Sequence, residues 1–320
     1  MKRVFLLLLA IFTIQIASAQ YTEIINSKRP GFSDSPYSIG TNVYQFETGF
    51  FYNNSDNPLY TSPANTYGGE LLFRYGKFNE KLEFDLNLAY QIDDLPHHPN
   101  GHINGISDLT VGAKYLLRQQ EFTDKSKEIR SFKRRMAFDW KRLIPSIGVY
   151  AGVHTKFVSK EYKKDDISYK LALLLQNDFT DRLVVLTNLI ADDYTSDDEF
   201  YKYIITMTYA IDEQWSFFIE NQGRYQDTFS PKYQFGTGLA YLINENLQID
   251  ASARTNFFDD FSYYYFSTGF AWRLDRHYDT FIMKDSPNKT IGKRKKEKVF
   301  LVDYLVIYFI RKENNCILHL

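Results

Sequence analysis

Ionisable side chains recur two residues apart along this sequence, as in Glu83 and Asp85, or as alternate positions of longer runs, as in Asp108 with Lys114 and Asp250 with Arg254. Residues at even spacing share one face of an extended chain. Such a face cannot simply be buried, because an ionised group without a partner is costly away from water. Its members are Glu47, Glu70, Arg74, Glu83, Asp85, Asp108, Lys114, Arg118, Lys170, Glu220, Arg224, Asp250 and Arg254. Groups of both signs on one face can hold water and orient a passing solute, or pair with one another and close the space between them. Small residues on the same face, among them Gly49, Gly148 and Gly269, leave room for long neighbours.

Other chemistry is weakly signalled. His97, His98 and His102 share a Pro- and Gly-bearing stretch with Asp93 and Asp94, but a metal site needs three or four converging ligands, which such a loop does not impose. His154 falls on the charged face and could pair with a carboxylate; as a general base it has no visible nucleophile beside it. No phosphate loop, dinucleotide fingerprint or paired-carboxylate motif occurs. The reading therefore assigns no catalytic residue, no metal and no cofactor, and expects no enzyme.

The elements that must position the charged face are strands. From residue 42 onward the apolar period is two rather than 3.6. In the segment 81–92, Leu82, Phe84, Leu86, Leu88, Tyr90 and Ile92 alternate with Glu83, Asp85, Asn87, Ala89 and Gln91. Twelve strands are expected at 42–53, 66–76, 81–92, 107–118, 143–157, 167–177, 182–191, 199–211, 215–225, 232–243, 247–257 and 262–274. The seventh is apolar on both faces, which leaves its register open. Connections alternate between tight turns and the longer stretches 54–65, 93–106, 158–166, 192–198 and 226–231. The charged insert 119–142, with Lys125–Glu128 and Lys133–Arg135, breaks this rule on the short-turn side, either as a solvated loop or as a contact site.

Period two suits both a soluble sandwich and a barrel in lipid. Segment length favours the membrane, since soluble strands run about five or six residues and tilted bilayer-crossing strands about nine to eleven. Rings also collect at strand ends, at Tyr44, Tyr52, Tyr201, Tyr203, Trp215, Tyr241, Tyr264 and Trp272, where the two interfaces of a bilayer would lie. The expected fold is all-β: a transmembrane, antiparallel up-and-down barrel of about twelve strands, with tight turns in the periplasm and long loops outside. Aromatic residues make up 17% of the chain, which suits a surface meeting both lipid and water. The 38 basic residues are balanced by 39 acidic ones, so nucleic acid is not an expected partner. Cys316 is alone and no disulfide is possible within the chain.

Lys2 and Arg3, an apolar run from Val4 to Ile14, and Ala17-Ser18-Ala19 form a signal-peptide pattern over 1–19. The remaining expectations are a periplasmic N-terminal segment at 20–41, the barrel at 42–274, and a tail at 275–320 carrying Lys293–Lys296 and the apolar run Val299–Ile310.

The stretch Arg29-Pro30-Gly31-Phe32-Ser33-Asp34-Ser35-Pro36-Tyr37, then Gln45-Phe46-Glu47-Thr48-Gly49, and later Asp108-Leu109-Thr110-Val111-Gly112-Ala113-Lys114-Tyr115, resembles the family called putative MetA-pathway of phenol degradation. The resemblance covers roughly residues 25–275 and implies an outer-membrane barrel with a transporter-like role, without naming phenol as the solute. Ser267 to Leu274 resembles the strand signal read by barrel-assembly machinery, although here a tail follows it. Expected partners are therefore outer-membrane lipid, that machinery and a small solute, hydrophobic ones included. The expected function is a passive porin-like channel or transporter whose solute path is lined by the charged face. A closed interaction barrel is the alternative, with a lipid-active enzyme behind it; the latter would need a Ser–His constellation on the lipid face, where no His falls.

Overall fold

The structure is a computed structural model and describes residues 24–56, 65–95, 101–123, 137–163, 167–196, 198–226, 229–256, 262–282 and 291–295. The signal-peptide pattern, His97, His98, Lys125–Glu128, Lys133–Arg135 and the apolar run of the tail lie outside these residues. Twelve antiparallel strands form a closed barrel: β1 (Val43–Asp56), β2 (Asn65–Gly76), β3 (Leu82–Asp94), β4 (His102–Arg118), β5 (Ser146–His154), β6 (Ser168–Asp178), β7 (Leu183–Tyr194), β8 (Phe200–Ala210), β9 (Trp215–Gln226), β10 (Phe229–Asn244), β11 (Leu247–Thr255) and β12 (Ser262–Asp275). Each strand pairs with its sequence neighbours, and β1 pairs with β12 along its whole length, from Val43 opposite Asp275 to Asp56 opposite Ser262. Full closure removes the unpaired edges that an open sheet would present.

The side chains are arranged inside out. Phe50 is 72% exposed on the outer wall while Arg74 on the inner wall is 1% exposed. Glu47, Glu83, Lys114 and Glu220 are also buried, whereas Val111, Leu189, Ile205, Ile219, Leu239 and Phe270 are exposed. Apolar side chains facing out and charged ones facing in are stable only if hydrocarbon surrounds the barrel. The protein is thus an outer-membrane β-barrel, and no helix among the described residues is long and apolar enough to cross a membrane. Aromatic pairs ring both rims: Tyr44 with Tyr75, Phe46 with Trp272 and Trp215 with Tyr241 at the short-turn end, Tyr52 with Tyr67 and Tyr203 with Tyr225 at the other.

Strand seven takes one register: Leu183, Val185, Thr187, Leu189 and Ala191 lie opposite the outward Tyr209, Met207, Ile205, Tyr203 and Tyr201 of β8. Three expected boundaries are corrected. β4 begins at His102, five residues early, because a bulge between its pairings with Ala89 and Tyr90 lets the ladder continue through Gly105. Gly105 has φ +148° and packs under the Ser159 side chain, a place no larger residue could take. β5 is trimmed to Ser146–His154, with a short 3₁₀ turn at Trp140–Leu143 before it and a second at Lys160–Tyr162 beyond it. The stretch 226–231, expected to be a long loop, is mostly strand, since only two residues separate β9 from β10. Arg118, expected on the inner face, follows a bulge at Leu116 and is exposed at the rim. The tail forms a separate unit, within which β13 (Tyr278–Ile282) and β14 (Ile291–Lys295) pair antiparallel.

Candidate functional site

The inner wall of the barrel encloses a second piece of the same chain. Residues 20–41 are expected from sequence as a periplasmic segment, but residues 25–39 bond to the inward side chains of the strands. Ile25 donates its N–H to the Glu245 carbonyl in the β10–β11 turn (2.9 Å). The segment climbs to Arg29, which reaches Glu70 opposite Gly49, about halfway up β1. It then turns at Pro30–Phe32 and descends past Asp34 to Tyr37, whose hydroxyl meets that of Ser146 at the foot of β5 (2.7 Å), and to Ile39. This plug occupies the short-turn half of the lumen.

Charge explains why it stays there. The lower wall carries Glu47, Glu70, Glu83, Glu220 and Asp250 against few wall cations, and the plug supplies what is missing. Glu47 Oε2 accepts from the Ser27 hydroxyl (2.8 Å) and from the N–H groups of Lys28 (3.0 Å) and Arg29 (3.2 Å), successive amides that form an anion-binding concavity. The Arg29 guanidinium donates to Glu70, to Asp250 (3.0 and 3.2 Å) and to Ser267 (2.8 Å). Gly49 and Gly269 flank it; a Cβ on either would collide with the guanidinium. Phe32 N–H donates to Glu220 (2.9 Å), Ile39 N–H donates to Glu83 (2.9 Å), and Arg254 donates to the Pro30 carbonyl (2.9 Å). Arg74 bridges Glu47 (3.0 Å) and Glu83 (2.6 Å) and donates to the Asn26 carbonyl (2.6 Å). Lys114 joins Glu83 (3.4 Å) to Asp34 of the plug (2.9 Å). Burial alone would raise the Asp34 carboxyl, but the cations of Lys114, Arg74 and Lys28 outweigh it and hold it at about 2.

With Arg118 at the rim, eight of the remaining twelve charged-face residues therefore grip the plug: Glu47, Glu70, Arg74, Glu83, Lys114, Glu220, Asp250 and Arg254. The other four, Asp85, Asp108, Lys170 and Arg224, do not bond to it. Asp85 accepts from the Tyr150 hydroxyl (3.2 Å). Higher up, both ring nitrogens of His154 are occupied, Nδ1 by the Thr110 hydroxyl (2.7 Å) and Asp108 (3.1 Å) and Nε2 by Asp192 (2.7 Å), and Lys170 pairs with Asp192 (3.2 Å). His154 thus has the carboxylate partners its position suggests, and no ring nitrogen left for a metal. Among the described residues no group of His, Cys, Asp and Glu is placed to hold one.

Two hollows accompany this wall. One, of about 240 Å³, runs beside the plug and is lined by Ser27, Lys28, Thr206, Thr208, Ser216 and Gln248 among others. The other, of about 880 Å³, involves outward residues of β4–β9 such as Ala113, Ala151, Leu171 and Ala191 and opens on the lipid side; its apolar lining suits hydrocarbon chains. Sequence reasoning missed the plug anchors Arg29, Phe32, Asp34 and Ile39, together with Asp192 and Lys202. The available signal was the surplus of carboxylates on the lower wall beside an upstream Lys28-Arg29 pair.

The family model described as Putative MetA-pathway of phenol degradation matches residues 27–274, a span that takes in the plug as well as the barrel, and the chain belongs to this family. Among structures, the COG4313 outer membrane channel from Pseudomonas putida F1 is 10% identical, with 78% of this chain and 100% of that one covered and a TM-score of 0.56. The NanC porin is 12% identical over 71% of this chain and 100% of that one, with a TM-score of 0.47. The CymD monoaromatic hydrocarbon channel is 11% identical over 74% and 89%, with a TM-score of 0.42. No curated protein matches the sequence.

Proposed function

Proceeding from membership of that family, we propose that the protein is a passive outer-membrane channel or transporter for a small solute, held partly closed by its own N-terminal plug. The observation that carries this reading is the hollow of about 240 Å³ beside the plug, whose wall includes Thr206, Thr208, Ser216 and Gln248. Hydroxyl and amide groups there can replace part of a solute's hydration. Higher on the wall, Asp108, Lys170 and Arg224 form the outer part of the path, with Asp85 below them at the level of Arg74. The Thr110 hydroxyl meets His154 Nδ1 (2.7 Å) but donates its own proton to Asp108 (2.9 Å), and His154 Nε2 is taken by Asp192, so the imidazole does not activate it as a nucleophile; the barrel works by passage rather than by catalysis. The apolar outer wall takes outer-membrane lipid as its solvent, and β12, which closes the barrel, carries the Ser267–Leu274 pattern through which assembly machinery would recognise it.

The test is conductance of the mature protein in planar bilayers, with flux of small solutes into vesicles. Channel steps that grow when the plug is released support the reading. A barrel that stays silent with and without the plug overturns it. That silence would favour a closed interaction barrel, the reading to which the dense pairing of wall and plug also lends itself.

A further inference from the structure

Above the plug, three basic residues stand at one register level on three adjacent strands. Lys202 of β8 lies directly opposite Arg224 of β9, and Arg224 lies directly opposite Lys232 of β10. All three fall on the inward set of their strands, with Ile204 and Thr206, Phe218 and Glu220, and Gly236 and Ala240. Like charges directly across a strand pair repel, so the row costs stability unless something of opposite charge comes to it. The wall does not supply that for two of its members. Among the described residues neither Lys202 nor Arg224 has a carboxylate partner. The Lys202 ammonium sits 5.1 Å from the centre of the Phe32 ring, and the Arg224 guanidinium stacks 3.7 Å from the Phe200 ring and donates to Gln226 (3.0 Å). Of the acids whose charge reaches the row, Glu220 is engaged by Arg254, Thr206 and the Phe32 amide, Asp192 by His154 and Lys170, and Asp193 by Ser168, while Asp198 acts on Arg224 without contacting it.

The second observation concerns what lies beside the row. Phe32, at the top of the plug, meets Tyr265 edge-on at 5.4 Å, and Tyr265 stacks on Phe51 at 5.7 Å. The Arg254 guanidinium covers one face of Phe32 (3.6 Å) and lies 5.1 Å from the Tyr265 ring. What remains beside two cations without a contacting carboxylate is the exposed side of an aromatic cluster, a surface that a flat, apolar anion would fit with its charge on the cations and its body against the rings.

We propose that Lys202, Arg224 and Lys232 form a selection site for a small aromatic carboxylate, bound with its carboxylate on the row and its ring toward Phe32 and Tyr265. The proposal rests on the channel reading for its physiological meaning, but the site can be tested without it. Equilibrium dialysis of benzoate against the full-length, detergent-solubilised protein should show saturable binding, with benzylamine and benzyl alcohol failing to compete. Lys202→Gln and Arg224→Gln should each weaken binding roughly tenfold, the weight of one charge-assisted hydrogen bond, while Lys202→Arg retains it. Heat-modifiable gel mobility identifies variants with an intact barrel. In planar bilayers the same pair of substitutions should shift the reversal potential in a salt gradient away from anion preference. Benzoate binding without conductance would preserve the site and overturn the channel. Conductance with no benzoate binding, or a reversal potential indifferent to Lys202 and Arg224, would overturn the site and preserve the channel.

Discussion

The two halves of the lumen solve the same electrostatic problem in opposite ways. In the lower half, carboxylates of β1, β2, β3, β9 and β11 are satisfied by a segment of the protein itself, through Arg29 and the amides of Lys28, Arg29, Phe32 and Ile39. In the upper half, Lys202 and Arg224 rest on aromatic faces with no carboxylate in direct contact among the described residues. A buried network with every member paired is rigid and expensive to disturb. A row with vacant charge is inexpensive to disturb and ready to exchange partners, which is what a transit site requires.

The contrast can be broken most severely from below. Arg74→Met should destabilise the barrel by about 3–5 kcal/mol, because Glu47 and Glu83 would be left buried without their shared cation; urea unfolding in lipid vesicles reads this. Arg224→Met, in the upper half, should cost far less on the same assay, and equal costs would erase the distinction drawn here. Arg29→Ala comes next. It removes the contacts to Glu70, Asp250 and Ser267, so conductance should rise several-fold and the N-terminal segment should become open to protease.

A smaller effect is expected of pH. The Asp34 carboxyl is held at about 2, below its ordinary value of 3.8. Its contribution to docking is therefore complete above that ordinary value and is lost as pH falls through the folded one. Conductance should stay low from neutrality down to about pH 4 and increase between there and pH 2, whereas Asp34→Asn should be leakier throughout and lack that step. The smallest change is Phe200→Leu, which removes the ring beneath Arg224. A cation–π contact at a partly exposed site is worth about 0.5–1 kcal/mol, so benzoate binding should weaken only a few-fold.

Most of the barrel is legible from period two alone, because each strand must separate apolar from charged side chains, and the segment 81–92 already does so. Strand seven resisted that reading for a reason the structure supplies: the inward Val184 and Leu186 contribute the apolar part of the hollow beside the plug, so its inner face also reads apolar. The plug was not legible. It has no periodicity, and its bonds span distances such as Arg29 to Asp250 that no local pattern encodes. Arg118 left the charged face through a bulge that alternation does not announce, and which of the remaining members grip the plug depends on where that irregular segment lies. The basic row was equally hidden, since Lys202, Arg224 and Lys232 become neighbours only once strand register is fixed.

Arg29 also has a bearing on how the molecule is built. Its two carboxylate partners, Glu70 on β2 and Asp250 on β11, stand on either side of the line where the first strand meets the last. The guanidinium is therefore a clasp across the seam. An unfinished sheet can offer it one carboxylate but not both, so the second contact forms only as the ends zip together, and from that moment the leading peptide is captured inside the wall it has helped to fasten.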